Sequence, residues 1–130
     1  MSTAARPPIT CHVLDTTIGR PGANIPVTLT LVSPPAAAIA SFASVTNSDG
    51  RVTAWKPLSD SQTPDLATLF REPAEQAWAL KFDTLQYFKE KGVDAFFPEV
   101  EIKFVVRSKD EHYHVPVLLG PFGYTTYRGS

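Results

Sequence analysis

Apolar and polar side chains alternate at period two through much of this chain. In Glu99-Val100-Glu101-Ile102-Lys103-Phe104 the odd positions are charged and the even ones apolar. A strand buried on one face has that pattern, because successive side chains leave the pleated backbone on opposite sides. Ile25 to Val32 repeats it, with Ile25, Val27, Leu29 and Leu31 on one side and Thr28 and Thr30 on the other. Ile9 to Asp15 is expected as a first strand, followed by a turn at Gly19-Arg20-Pro21-Gly22. Ser41 to Thr46 forms another, and Asn47-Ser48-Asp49-Gly50 turns the chain into a short strand from Arg51 to Trp55. Glu75 to Phe82, His112 to Leu119 and Gly123 to Ser130 complete the set, the last two joined by Gly120-Pro121-Phe122.

Between these lie a polar, turn-rich stretch, Pro57 to Pro64, expected as a mobile loop, and one helical signal. Asp83 is a suitable N-cap, Gln86 stands where a capping box wants Glu or Gln, and Gly92 is placed to end the helix. Leu85 and Phe88, three apart, are expected to pack one helical face. About seven or eight short strands and one short helix, without repeats, predict an all-β fold, a two-sheet β-sandwich.

The length of 130 residues fits one domain over 1–130, which buries roughly two-thirds of the surface its unfolded chain exposes. Twelve prolines argue against an all-helical alternative. A formal net charge of −1 leaves no basic face for nucleic acid. With Cys11 as the single cysteine an intramolecular disulfide is impossible, which fits a reducing compartment. The chain has no apolar run of bilayer length, and Met1 to Pro8 lacks the apolar stretch of a signal peptide. The expectation is a soluble intracellular protein with neither membrane nor nucleic-acid partners. Cytoplasm is the first choice and peroxisome the second, since Arg128-Gly129-Ser130 is not a Ser-Lys-Leu address.

Candidate chemistry rests on a few residues. His12 sits between Cys11 and Val13, where an ordinary strand histidine would also be at home. His112 and His114 share a parity and so a face. Their spacing suits a metal, but no third ligand accompanies them, so no metal is expected. Arg51, after Asp49-Gly50, reads alone as a surface arginine. Together they have more to offer. Two imidazoles can divide the work of base and acid near neutral pH, and a guanidinium fork suits an anionic, carbonyl-rich heterocycle. Spacing alone does not bring them together.

Three stretches carry a resemblance. Thr10-Cys11-His12-Val13-Leu14-Asp15 with Gly19-Arg20-Pro21 is one, and Asn47-Ser48-Asp49-Gly50-Arg51 is another. The third and most specific is His112-Tyr113-His114-Val115-Pro116-Val117-Leu118-Leu119-Gly120-Pro121-Phe122-Gly123-Tyr124, running through Thr125-Thr126 into Tyr127-Arg128-Gly129-Ser130. Over roughly Pro8 to Ser130 the chain resembles the 5-hydroxyisourate hydrolases of the transthyretin-like family. The closing tetrapeptide distinguishes that branch from the hormone carriers.

The resemblance implies a transthyretin-like (prealbumin-like) sandwich and a metal-free cyclic amide hydrolase without cofactors. Its substrate would be 5-hydroxyisourate, opened to 2-oxo-4-hydroxy-4-carboxy-5-ureidoimidazoline in purine catabolism. His12, Arg51, His114 and Ser130 become the expected active-site residues, with Arg51 and Tyr127 binding substrate. His12 is the expected base and His114 the acid, although the two roles could be exchanged. A free carboxylate at Ser130 could accept a proton or orient a histidine. Regular alternation puts Tyr127 and Ser130 on opposite faces, so one lines the site less directly. The family also implies a homotetramer, a dimer of dimers, with sites in a channel between subunits. Two details fall outside the resemblance: Cys11, a small buried residue unless its pKa is lowered, and Ser59 to Pro73, a candidate lineage-specific loop. The alternatives are a non-catalytic carrier of a small aromatic ligand on the same fold, and a purely structural interaction domain.

Overall fold

The computed structural model describes residues 6–35, 40–58 and 64–130. In chain order the strands are β1 (Ile9–Asp15), β2 (Arg20–Pro21), β3 (Pro26–Ser33), β4 (Ser41–Val45), β5 (Arg51–Val52), β6 (Lys56–Pro57), β7 (Gln76–Phe82), β8 (Val100–Val106), β9 (Tyr113–Leu119) and β10 (Tyr124–Thr126). The helices are α1 (Leu66–Phe70) and α2 (Thr84–Glu90). One sheet runs β10-β9-β1-β2, with β5 also paired to β1; the other runs β6-β4-β3-β7-β8. The result is a two-sheet, transthyretin-like β-sandwich, and it meets the all-β expectation.

Alternation decides which side chains enter the core. On β1, Ile9, Cys11, Val13 and Asp15 are buried, while Thr10, His12 and Leu14 point to the outer face. The second sheet answers with Val27, Leu29, Phe42, Trp78, Leu80, Phe82 and Val100. Each large apolar side chain buried this way contributes roughly 1.5–3 kcal/mol. Three polar groups inside the core are matched. Trp78 Nε1 donates to Gln76 Oε1 (2.9 Å), and Gln76 Nε2 donates to the Leu69 carbonyl (2.6 Å), which pins α1 to β7. The Asp15 carboxylate accepts from Tyr87 Oη (2.7 Å), from the Thr17 amide (2.9 Å) and from the Thr17 hydroxyl, which ties the end of β1 to α2.

Several local expectations change. The stretch Arg51 to Trp55 is not one strand: Arg51–Val52 pairs with β1, and Lys56–Pro57 pairs with β4 in the opposite sheet. The segment between them crosses the sandwich edge, with Trp55 Nε1 donating to the Ile9 carbonyl (2.9 Å). Arg20 and Pro21, expected in a turn, form the short β2, and Gly19 takes the left-handed conformation (φ 65°). A second helix, α1, occupies part of the Ser59 to Pro73 stretch; Asp65 caps it by accepting from the Thr68 amide (2.8 Å). Positions 59–63 of the expected Pro57 to Pro64 loop lie outside the described residues.

In α2 the expected capping box does not form. The Asp83 side chain makes no cap bond, because its backbone (ψ 83°) is not in the extended cap conformation, and Gln86 donates to Glu90 Oε2 (3.2 Å) instead. Thr84, Tyr87 and Phe88 form the buried face and Leu85 is exposed, since the helix is oriented by the Tyr87–Asp15 bond. Gly92 ends it as expected, at φ 72°. Among the described residues no helix is long and apolar enough to cross a membrane.

Gly50 connects this frame to the site. Its amide donates to the Asn47 carbonyl, its carbonyl accepts from the Val13 amide (2.8 Å each), and its φ is 74°. A Cβ there would stand 2.3 Å from the Val13 carbonyl oxygen. Gly50→Ala is therefore expected to destabilise the protein by more than about 1 kcal/mol, measured as a lower urea midpoint at unchanged m-value. An unchanged midpoint would contradict this close approach.

Candidate active site

Strand register gathers the outer-face residues. Parallel pairing of β1 with β9 sets Thr10 opposite His114 and His12 opposite Pro116. Antiparallel pairing of β1 with β5 sets His12 opposite Arg51. Arg51 owes its position to the preceding turn, in which Asn47 Oδ1 accepts from the Asp49 (2.9 Å) and Arg51 (3.0 Å) amides. Three strands from distant parts of the chain thus deliver their side chains to one patch.

The His12 and His114 rings lie 6.4 Å apart between centroids, inclined by 28°. His112 and His114 are also 6.4 Å apart, at 20°. The imidazoles form a row with His114 in the middle. Thr10 Oγ1 lies 2.8 Å from His112 Nε2 and 2.8 Å from His114 Nδ1, bridging the two rings.

All three histidines are held below the ordinary imidazole pKa, in each case chiefly by partial burial. For His12 the Arg51 charge adds to this, against an opposing backbone bond and charge from Asp49. For His114 the further causes are Arg51, then His12, His112 and Arg6; for His112 the Arg6 charge lowers it and the Pro7 carbonyl opposes. The rings are accordingly neutral at neutral pH, and each carries one N–H and one lone pair.

The C-terminal tail folds over β9. Only Tyr124–Thr126 of the expected Gly123 to Ser130 strand is regular, followed by an isolated bridge between Gly129 and His114. The Gly129 amide donates to the His114 carbonyl (2.8 Å), and the Thr126 hydroxyl donates to the Pro116 carbonyl (2.9 Å). Arg128 pairs with Glu111 (2.9 Å) and lies 4.4 Å from the Tyr113 ring centre.

Ser130 thereby enters a hollow of 220 Å³ whose walls include Arg6, Thr10, Arg51, His112 and His114. His12 flanks that hollow without lining it, its ring beside His114. Tyr127 goes to the other side of the tail, into a 530 Å³ hollow against Phe104 and Val105 of β8. The opposite placement of Tyr127 and Ser130 follows the alternation argument. Cys11 faces the core, and burial pushes its thiol up to about 12, so it is a packing residue.

Three residues of this patch were not among the candidates from sequence: Thr10, Arg6 and, for any role but metal binding, His112. Parity was the available signal. Thr10 is two before His12 on β1, and His112 is two before His114. Arg6 precedes β1 and carries no such signal.

A β-sandwich with a histidine–arginine cluster on the outer face of one sheet defines the class of protein. The chain belongs to the HIUase/Transthyretin family, whose model matches residues 9–129. It is 37% identical to a probable 5-hydroxyisourate hydrolase of Schizosaccharomyces pombe, over 95% of this chain and 92% of that one. It is 38% identical to the 5-hydroxyisourate hydrolase of Mus musculus, over 95% of each. Among solved structures, the 5-hydroxyisourate hydrolase of Klebsiella pneumoniae superposes with a TM-score of 0.66 at 27% identity, covering 94% of this chain and 98% of that one.

Gly129 makes the tail's close approach possible: a Cβ there would stand 2.8 Å from His114 Cδ2 and 2.9 Å from Pro116 Cγ. Gly129→Ala is expected to lift the tail from β9, so that the amide at position 129 exchanges its hydrogen faster than in the unsubstituted protein. Unchanged protection would mean that Arg128 and Thr126 hold the tail without this contact.

Proposed function

We propose that this chain hydrolyses 5-hydroxyisourate, opening one ring to give 2-oxo-4-hydroxy-4-carboxy-5-ureidoimidazoline in purine catabolism. The observation that carries the reading is the pair of weakly basic imidazoles, His12 and His114, 6.4 Å apart beside Arg51. Amide hydrolysis needs a group to take a proton from water, one to protonate the departing nitrogen, and one to steady charge on oxygen. The first two tasks fall to the imidazoles. The third falls to Arg51, which also binds the carbonyl-rich ring through its planar fork.

Ser130, in the same hollow as His114, orients the water or the ring. Within one chain Tyr127 lines the opposite hollow, so the proposal rests on Ser130 rather than on Tyr127. All the chemistry can be done by side chains, and the reading assigns no metal or cofactor. We further propose that residues 1–130 act as one domain in the cytoplasm and that the chain assembles as a homotetramer, a dimer of dimers. Open edge strands β10 and β8, and the exposed Ile18, Leu118 and Phe122, support such self-association.

The test is to generate 5-hydroxyisourate from urate with urate oxidase and follow its ultraviolet absorbance with and without the purified protein, because the compound also decays unaided. Accelerated decay is expected, with His12→Ala lowering kcat by about 10²–10⁴-fold while the variant stays folded. Arg51→Lys keeps the charge but loses the fork, and is expected to raise KM and lower kcat together. Decay no faster than the control would overturn the enzyme and leave a ligand carrier.

The pH profile is a separate check. A lowered pKa keeps an imidazole in its neutral, proton-accepting form to lower pH. kcat/KM is therefore expected to be level through neutrality and to fall only with an acid limb centred below 6.5, the ordinary histidine value. A limb centred above that value would contradict neutral histidines as the working groups.

A further inference from the structure

We infer that Thr10 and His112 are positioning residues that hold His114 in one tautomer, with its proton on Nδ1 and the lone pair of Nε2 free to take the proton of the attacking water. This rests on the hydrolase reading above and adds an assignment of the base to it.

The partners in the cluster fix the direction of each hydrogen bond. A carbonyl oxygen can only accept, so the Pro7 carbonyl that faces His112 receives an N–H from that ring. His112 Nε2 is engaged by Thr10, which leaves Nδ1 as the nitrogen that meets Pro7. A neutral imidazole has one N–H, so Nε2 of His112 is an acceptor, and the Thr10 hydroxyl must donate to it. That spends the one proton of Thr10. Towards His114 Nδ1, at 2.8 Å, Thr10 Oγ1 can then only accept, so Nδ1 must carry the hydrogen. Nε2 of His114 is left bare. The chain runs Pro7 carbonyl, His112, Thr10, His114, and every donor points the same way.

The charges around the rings keep the chain in this state. His114 faces Arg51 from β5, His12 from β1, His112 from just before its own strand and Arg6 from the segment before β1. His112 faces Arg6 and the Pro7 carbonyl. Every side-chain charge in that list is positive or potentially so, which disfavours a second proton on either ring before substrate arrives. When His114 Nε2 takes the water proton, the imidazolium formed can share its charge along the chain. Nδ1 passes its hydrogen towards Thr10 Oγ1, Thr10 passes its own towards His112 Nε2, and one positive charge is conserved throughout. The proton that His114 Nε2 takes from water is the one it returns to the departing nitrogen, and neutral His12, on the Arg51 side, holds substrate through a hydrogen bond. The base expected from sequence, His12, is thereby replaced by His114.

Two variants test the lock. Thr10→Val keeps the volume and removes the hydroxyl, whereas Thr10→Ser restores it. An unrestrained histidine favours the proton on Nε2, so Thr10→Val leaves His114 mostly in the wrong form. Its kcat is expected to fall by between about 10-fold and 10⁴-fold, the upper bound being the cost of a wrong tautomer in a serine-protease triad. KM should change little, and Thr10→Ser should recover most of the loss. Imidazole nitrogen chemical shifts of isotope-labelled protein give a readout independent of turnover: protonated Nδ1 and bare Nε2 on His114 in the unsubstituted protein, reversed in Thr10→Val.

A His114 protonated on Nε2 in the unsubstituted protein overturns the inference, as does a folded Thr10→Val enzyme with normal kcat. If the unsubstituted protein shows the expected tautomer but no hydrolysis, the lock stands and the hydrolase reading fails.

Discussion

The parallel pairing of β1 with β9 is the constraint on which the site depends. It joins residues separated by more than a hundred positions: Thr10 meets His112 across 102 and His114 across 104. Because side chains alternate with a period of two, slipping the pairing by one residue would turn His112 and His114 into the core and Tyr113 and Val115 outward. The register is held at both ends. The Tyr113 amide donates to the Pro8 carbonyl, and the Thr16 amide donates to the Leu119 carbonyl, each at 2.9 Å. The inward residues of both strands hold it in between, since Ile9, Cys11, Val13, Tyr113, Val115 and Val117 all lose contact with water only in this alignment.

With that pairing in place, the electrostatics of the outer face follow. Two arginines and three histidines come together there, and the carboxylate that acts on them is Asp49, at His12. Partial burial and the neighbouring arginine charges keep the imidazoles unprotonated. The buried carboxylate of β1, Asp15, is spent elsewhere on Thr17 and Tyr87. One strand therefore presents opposite chemistry on its two faces: a satisfied acid and apolar groups inward, a hydroxyl and an imidazole outward. The tail completes the arrangement, with Gly129 close against His114 so that Ser130 can enter the hollow from the far side.

Much of the sandwich was legible in the sequence because burial on one face of a strand leaves a local mark. Glu99 to Phe104 and Ile25 to Val32 show it in neighbouring residues, and so do Gly50 and Gly92 at left-handed positions. Where a weak local signal competed with tertiary contacts, the contacts won. Leu85 was displaced from the core because Tyr87 is drawn to Asp15, and Asp83 caps nothing because the chain enters α2 at another angle. The expected Arg51 to Trp55 strand shortened to Arg51–Val52 for the same kind of reason: Thr53 to Trp55 cross to the other sheet, where Lys56–Pro57 pair with β4.

The candidate site divides along the same line. Sequence alone determined the residue types and the shared parity of His112 with His114, since alternation depends only on neighbours in the chain. The resemblance to a family added which of those residues to weigh together. Tertiary structure alone decided that Thr10 would stand between two imidazoles, that His112 would turn its ring towards Pro7, and that Tyr127 would face a different hollow from Ser130. Those are questions of register between distant strands and of hydrogen-bond direction within a cluster. Neither leaves a periodic trace along the chain, because each is set by a partner that the local sequence does not contain.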